Sequence, residues 1–393
     1  MASTPPAEPR PAGVRTSRRY FAELEALRGI AIALVIGFHF HGGLMRWSRD
    51  TALPGPALVR EGQAGVDLFF VLSGFLLALP FLAEAAGGQR VSRRQYYLRR
   101  ALRILPLYYA AVVVAVLFHA DRLRDLAAAV PYLLFLNSFG DVGANLMPFY
   151  GVWWSLATEV QFYLLLPLLP AALASRRLQR SAPVLLAAYV GLYALFLANG
   201  LGLDWDGRLA LARSVFGRAP LFAAGIIVAS IYLRAGDRIR ARLGSIRWFS
   251  AGGADAFLVA LFVVLELFLG RVATLRPLRA ELPPWCIWHV ALAPLFGGLL
   301  FLLLLAPLRL KPLLCNPLLT GLGVLSYSLY LVHTPVAWPA LAGLAARHPA
   351  LLASRASMLA VAIGLGATCV ALSFLTYRLI ERPFLVRKAR LDR

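Results

Sequence analysis

Cysteine is nearly absent: there are three in 393 residues, Cys286, Cys315 and Cys369, at spacings that fit neither a disulfide framework nor a zinc or redox motif. Charged residues are scarce too, at 15% of the chain, and only 19 are acidic against 40 basic. Carboxylates hardly enter the long apolar runs, Glu159 and Glu266 being the two that lie well inside them. A transporter or flippase built on an intramembrane His/Glu relay, which needs several such groups, is therefore the weaker alternative. No internal repeat is visible, and no loop is long enough to fold as a soluble domain. A cleavable signal peptide is missing as well, because the first apolar run is interrupted at once by Arg28 and no small-residue cleavage pattern follows. The net charge of +21 raises nucleic acid as a partner, but the arginines fall in short loops rather than in a basic stripe interleaved with aromatics. No nucleic acid is expected.

What the chain has is apolar length. Hydrophobic residues make up 60% of it, mean hydropathy is +0.70, and apolar runs recur near the ~20 residues that cross a bilayer as a helix. This predicts an all-α, multi-pass bundle in the cell membrane, with the lipid bilayer as its surroundings. Eleven runs qualify at first sight. The one at 126–140 is short, contains Pro131 and Asn137, and leads into a polar stretch, so it reads as re-entrant or interfacial. Without it ten spans are left, and both termini are expected on the cytoplasmic side. In that topology the cytoplasmic segments hold 24 Lys and Arg against 12 outside, as the positive-inside rule requires. Residues 1–18, rich in Pro, Ala and Arg, read as a disordered cytoplasmic tail. One membrane domain then fills 19–386, and 387–393 form a short basic cytoplasmic tail.

The first span, LEALRGIAIALVIGFHF, places ionisable side chains where they are expensive. A charge inside hydrocarbon costs at least about 2.5 kcal/mol even on lenient scales, so such residues are functional candidates. Arg28 and His39 are eleven positions apart, which puts them on one stripe of the helix and ~16 Å apart along its axis. Counting inward from the expected membrane surface brings His39, Glu159 and His333 to one level in the outer half. Arg28, Arg99, Arg100 and Arg103 form a second level at the cytoplasmic ends of their helices, and Asp67 opens its helix near the outer surface. Arginines can hold the phosphates of a large anionic donor, and a histidine oriented by a carboxylate can take the proton of an attacking hydroxyl. The distance between the two levels is comparable with the extended pantetheine arm of an acyl coenzyme A. Geometry alone thus points to acyl transfer across the membrane.

Six segments in order carry a family likeness: Arg28 with His39, GVDLFFVLSGFLL at 65–77, RRALRILPLYY at 99–109, WWSLATEVQFYLLLPL at 153–168, LSYSLYLVHTPV at 325–336 and ERPF at 381–384. Through them nearly the whole chain resembles the acyltransferase 3 family of integral membrane O-acyltransferases, here without the fused SGNH-type domain some relatives carry. The resemblance implies ten helices, acyl coenzyme A as cytoplasmic co-substrate with acetyl as the expected group, and no tightly bound cofactor or metal. It implies as acceptor a glycan or lipid-linked sugar on the outer side, or alternatively a macrolide or other secreted metabolite. On this reading His39 is the general base, Glu159 orients it, and Arg28, Arg103 and Arg99 bind the donor. His333 and Tyr330 line the acceptor side, and Asp67 shapes the outer entrance.

Overall fold

The computed structural model describes residues 21–47, 55–119, 127, 129–139, 151–198, 201–274 and 285–390, so the tail at 1–18 lies outside the described residues. Among the described residues every regular element is helical. Ten helices among these residues are long and apolar enough to cross a bilayer: α1 (Ala22–Trp47), α2 (Ala64–Ala85), α3 (Arg93–Phe118), α4 (Gly151–Ala174), α5 (Arg176–Leu197), α6 (Trp205–Ser245), α7 (Phe249–Val272), α8 (Trp288–Leu305), α9 (Pro317–Arg347) and α10 (Arg355–Arg387). A helix satisfies its own backbone groups, which is the condition for crossing lipid. Polar residues start several of them: the side chains of Ser175, Asn316 and Ser354 accept from the backbone N–H three residues on, at the heads of α5, α9 and α10.

The ten-span expectation holds. Of the doubtful run at 126–140, the described residues form a single helical turn, Val130–Leu133, closed by Phe135 at a positive φ of 56°. That is far too short to cross. At the other end no break occurs at 386, because a π turn at Tyr377–Glu381 leads straight into helix Arg382–Arg390. The residues assigned to a basic tail thus begin as the last turns of a helix.

Two close helix crossings organise the interior. Gly29 of α1 lies against the carbonyl of Leu319 in α9, and Gly323 of α9 lies against the carbonyl of Glu25 in α1. A Cβ at either glycine would stand 1.9 Å from that oxygen. Only a missing side chain allows such an approach, the usual device where helices associate without a hydrophobic driving force. His39 and His333 each follow their own helix's glycine by ten residues, and they touch, so α1 and α9 run parallel and in register.

The second crossing repeats the device. Gly74 of α2 meets the carbonyl of Phe222, and Gly225 of α6 meets the carbonyl of Val71, at 2.3 and 2.1 Å for a Cβ. Asp67 and Arg218, each seven residues before its glycine, form an ion pair of 2.7 Å. Outside these cores the helices turn apolar faces outward; Val184 and Leu186 of α5 are 69% and 63% exposed, as lipid-facing side chains should be.

Candidate active site

The parallel crossing of α1 and α9 carries two imidazoles to one point. His333 is wholly buried, and its Nδ1 lies 3.0 Å from the carbonyl of Leu329 and 2.9 Å from that of Tyr330. Carbonyls only accept, so Nδ1 carries the proton, and in the neutral ring Nε2 is left as an acceptor. That Nε2 stands 3.2 Å from His39 Nδ1, which is also 2.8 Å from the carbonyl of Val35, one turn back. His39 therefore donates through Nδ1 to both. Its own Nε2 is then the nitrogen with the free lone pair. The pair forms one proton-accepting group with a fixed tautomer.

Next to it, Tyr330 packs its ring 5.8 Å from that of His333 and hydrogen-bonds through its hydroxyl to Ser155 Oγ, 2.7 Å away, and to the carbonyl of Val152. The start of α4 is thus already deep. It opens with a 3-10 turn, Gly151–Trp153, whose Trp153 is fully buried.

This start corrects the place of Glu159. A count from an assumed surface at residue 151 puts it level with the histidines, but α4 begins level with Tyr330 and descends from there. One turn below Ser155, the carboxylate of Glu159 accepts from Ser73 at 2.6 Å and from Tyr163 at 2.7 Å, not from His39. It lies in the electrostatic range of Arg28 and Arg100. Glu159 belongs with the arginines, and the side chain that meets His39 is His333.

The arginine end is built from α1, α3, α4 and α10. Arg28 is 3.7 Å from Glu25 and within electrostatic range of Arg103, Glu381 and Glu159. Arg103 donates to Glu381 at 2.7 Å, whose second oxygen accepts from Ser328 at 2.8 Å. Arg103 is thereby neutralised, and the π turn before Glu381 is what brings that carboxylate inward. Arg99 donates to Gln95 one turn back, at 3.0 Å, and its Nε is buried. Arg100 lies 6.0 Å over the ring of Tyr163, with a buried Nε that meets no acceptor among the described residues. Glu381 is the candidate that sequence reasoning left without a role, and Arg100 one that it placed in the arginine level without assigning it to the donor. An arginine three residues before Arg103, at the start of the same apolar span, was the available signal for Arg100.

Asp67 also needs correcting. It is 1% exposed, so it stands inside the bundle and not at an outer surface. The segment before it folds into the bundle: Gly62 and Gly65 sit on the carbonyls of Leu34 and Ala31, and the short helix Ala57–Arg60 is held there by Glu266. Both oxygens of Glu266 accept backbone N–H groups at the head of that helix, at 2.6 Å from Ala57 and 2.8 Å from Leu58. α2 therefore starts inside the protein. Glu266, one of the two carboxylates a proton relay would need, is committed to a helix cap.

Residues 21–378 match the family model described as an acyltransferase domain. The chain is 31% identical over 166 residues to the peptidoglycan O-acetyltransferase OatA of Listeria monocytogenes, covering 39% of this chain and 24% of that protein. It is 29% identical over 170 residues to the O-acetyltransferase OatA of Staphylococcus aureus, covering 39% and 25%. BcsY of Komagataeibacter xylinus, assigned by name as a membrane-bound transacylase, is 28% identical over 372 residues, 92% of this chain and 82% of BcsY. The chain thus spans about a quarter of the length of the OatA relatives it matches and most of BcsY. No solved structure matches it.

Proposed function

The chain belongs to the acyltransferase family whose model its residues 21–378 match, and from that premise we propose that it is a membrane O-acetyltransferase working across the bilayer. In this reading acetyl coenzyme A binds from the cytoplasm, on the side of both termini. The acceptor is a hydroxyl of a glycan or lipid-linked sugar on the far side; the name of the Listeria relative gives a glycan, peptidoglycan, as the acceptor of that protein. The observation that carries the reading is the coupled histidine pair: it leaves one unprotonated nitrogen, His39 Nε2, on the same helix as Arg28 and ~16 Å from it.

Arg28 and Arg100 hold the donor's phosphates, since charge-assisted contacts to phosphate are the strong ones and Arg103 is already spent on Glu381. The pantetheine arm runs upward between the helices to the histidines. The acceptor hydroxyl then gives its proton to His39 Nε2 as its oxygen attacks the thioester carbonyl. Collapse of the tetrahedral intermediate forms the ester, breaks the C–S bond and expels the thiolate, which takes the proton from His39. The imidazole returns to its starting tautomer because His333 and Val35 hold its Nδ1–H throughout.

The donor half is tested by thiol release from acetyl coenzyme A in membranes supplied with an N-acetylglucosamine oligosaccharide. Arg28→Ala removes a contact worth about 1.5–3 kcal/mol, so the donor concentration for half-maximal rate should rise roughly tenfold to a hundredfold while the acceptor's does not. An unchanged donor requirement would mean that the phosphates bind elsewhere.

A further inference from the structure

Three helices bring a second polar cluster together. Arg218 of α6 lies 2.7 Å from Asp67 Oδ1 of α2 and 2.5 Å from His289 Nδ1 of α8, and that Nδ1 is 3.2 Å from Asp67 Oδ2. Asp67, Arg218 and His289 are 1%, 6% and 0% exposed. The guanidinium of Arg218 lies 4.9 Å over the ring of Trp154, whose neighbour Ser155 is bonded to Tyr330. The cluster therefore borders the wall of the reacting end.

The hydrogen bonding of His289 follows from its neighbours. A guanidinium has only donors, and at 2.5 Å it leaves no room for a second hydrogen, so this nitrogen offers it a lone pair; the longer 3.2 Å separation from Asp67 Oδ2 is then a contact between two acceptors and not a hydrogen bond. His289 Nδ1 accepts, and the ring proton resides on Nε2. That Nε2–H is buried and meets no acceptor among the described residues. The same holds for Nε1–H of Trp288, the residue before it, which is 4% exposed. Two buried donors on neighbouring residues, both without acceptors, are rare in a folded protein and call for acceptors from outside the chain. Asp67 and Arg218 cancel in charge, so nothing in the cluster favours an anion. An uncharged oxygen fits.

We propose that His289 Nε2–H and Trp288 Nε1–H form an acceptor-recognition site that binds a neutral oxygen, a hydroxyl or amide carbonyl, of the sugar to be acylated. It rests on the acyltransfer reading above and names the groups that would select its acceptor. Asp67 and Arg218 are positioning residues: they fix the His289 tautomer so that its proton points away from them. Polar recognition of this kind discriminates strongly, because an acceptor lacking the oxygen leaves the donors unpaired.

The test uses the full chain in nanodiscs and chitotriose, an uncharged N-acetylglucosamine trimer, as the probe. Its binding is measured directly, and its KM in acetyl transfer separately. His289→Leu and Trp288→Phe should each weaken chitotriose binding about tenfold, the worth of one hydrogen bond, and raise the acceptor KM alike without moving the donor KM. His289→Gln, which keeps an N–H, should recover most of the loss. Trp288→Phe retains the buried ring, so it stays informative if His289→Leu fails to fold. Absence of chitotriose binding to the parent chain, or equal binding by Trp288→Phe and by folded His289→Leu, would overturn the proposal and leave a site for buried water. Binding that is lost in the variants while the parent releases no thiol from acetyl coenzyme A would uphold this site and refute acyl transfer instead.

Discussion

His39→Gln should lose about two to four orders of magnitude in acyl transfer while inserting and accumulating like the parent. The reasoning is specific to the geometry. Glutamine is close in shape and can still donate to the carbonyl of Val35 or to His333, so the packing and the contacts at Nδ1 are partly kept. What disappears is the basic lone pair at Nε2. A histidine that only packed would register instead as poor folding or low abundance. His333→Gln should cost less, since it perturbs the tautomer and orientation of His39 but leaves the base in place. Transfer is compared at matched protein level in membranes. Near-parental transfer by His39→Gln would contradict base catalysis by this residue.

Gly323→Val should be as damaging to transfer as His39→Gln, although it lies ten residues from the chemistry, and should lower abundance as well. A Cβ at position 323 would stand 1.9 Å from the Glu25 carbonyl, a distance no real atoms keep. The obstacle is backbone, so it cannot swing aside, and α1 and α9 must separate or slide. Overpacking of this kind costs about 1–3 kcal/mol or more in stability. Because the helices run parallel from that crossing to His39 and His333, a shift there is passed on to a contact of 3.2 Å. Gly321→Ala on the same helix is the control: a Cβ there meets nothing within 4 Å, and the variant should behave as the parent. Equal transfer and abundance for both glycine variants would show that the crossing does not hold the pair.

The helices were readable from the sequence because crossing lipid demands long apolar runs, and the short run at 126–140 lacked that length. The stripe of Arg28 and His39 was readable for a similar reason, helical periodicity within one element. Between elements the reading placed His39 and His333 at one depth, and they touch. It misplaced Glu159 and Asp67, since α4 and α2 both start inside the protein, after a buried 3-10 turn and an infolded short helix. Residue counting carries no information about such offsets. The pairs Arg103–Glu381 and Arg218–Asp67 bridge 278 and 151 positions, and no local spacing encodes them. An arginine within an apolar span, as Arg218 is, announces that a counter-ion must exist without saying which.

The central claim is that an acyl group enters at the arginine end and leaves at the histidine end. Proteoliposomes in which the chain has a single orientation, with acetyl coenzyme A on one face and an impermeant N-acetylglucosamine oligosaccharide on the other, test this most directly. The account predicts acetylated sugar only when the donor is on the face bearing Arg28 and the chain termini, with coenzyme A thiol released on that same face. Acetylated sugar formed when donor and acceptor share one face, and none when the bilayer separates them, would contradict it.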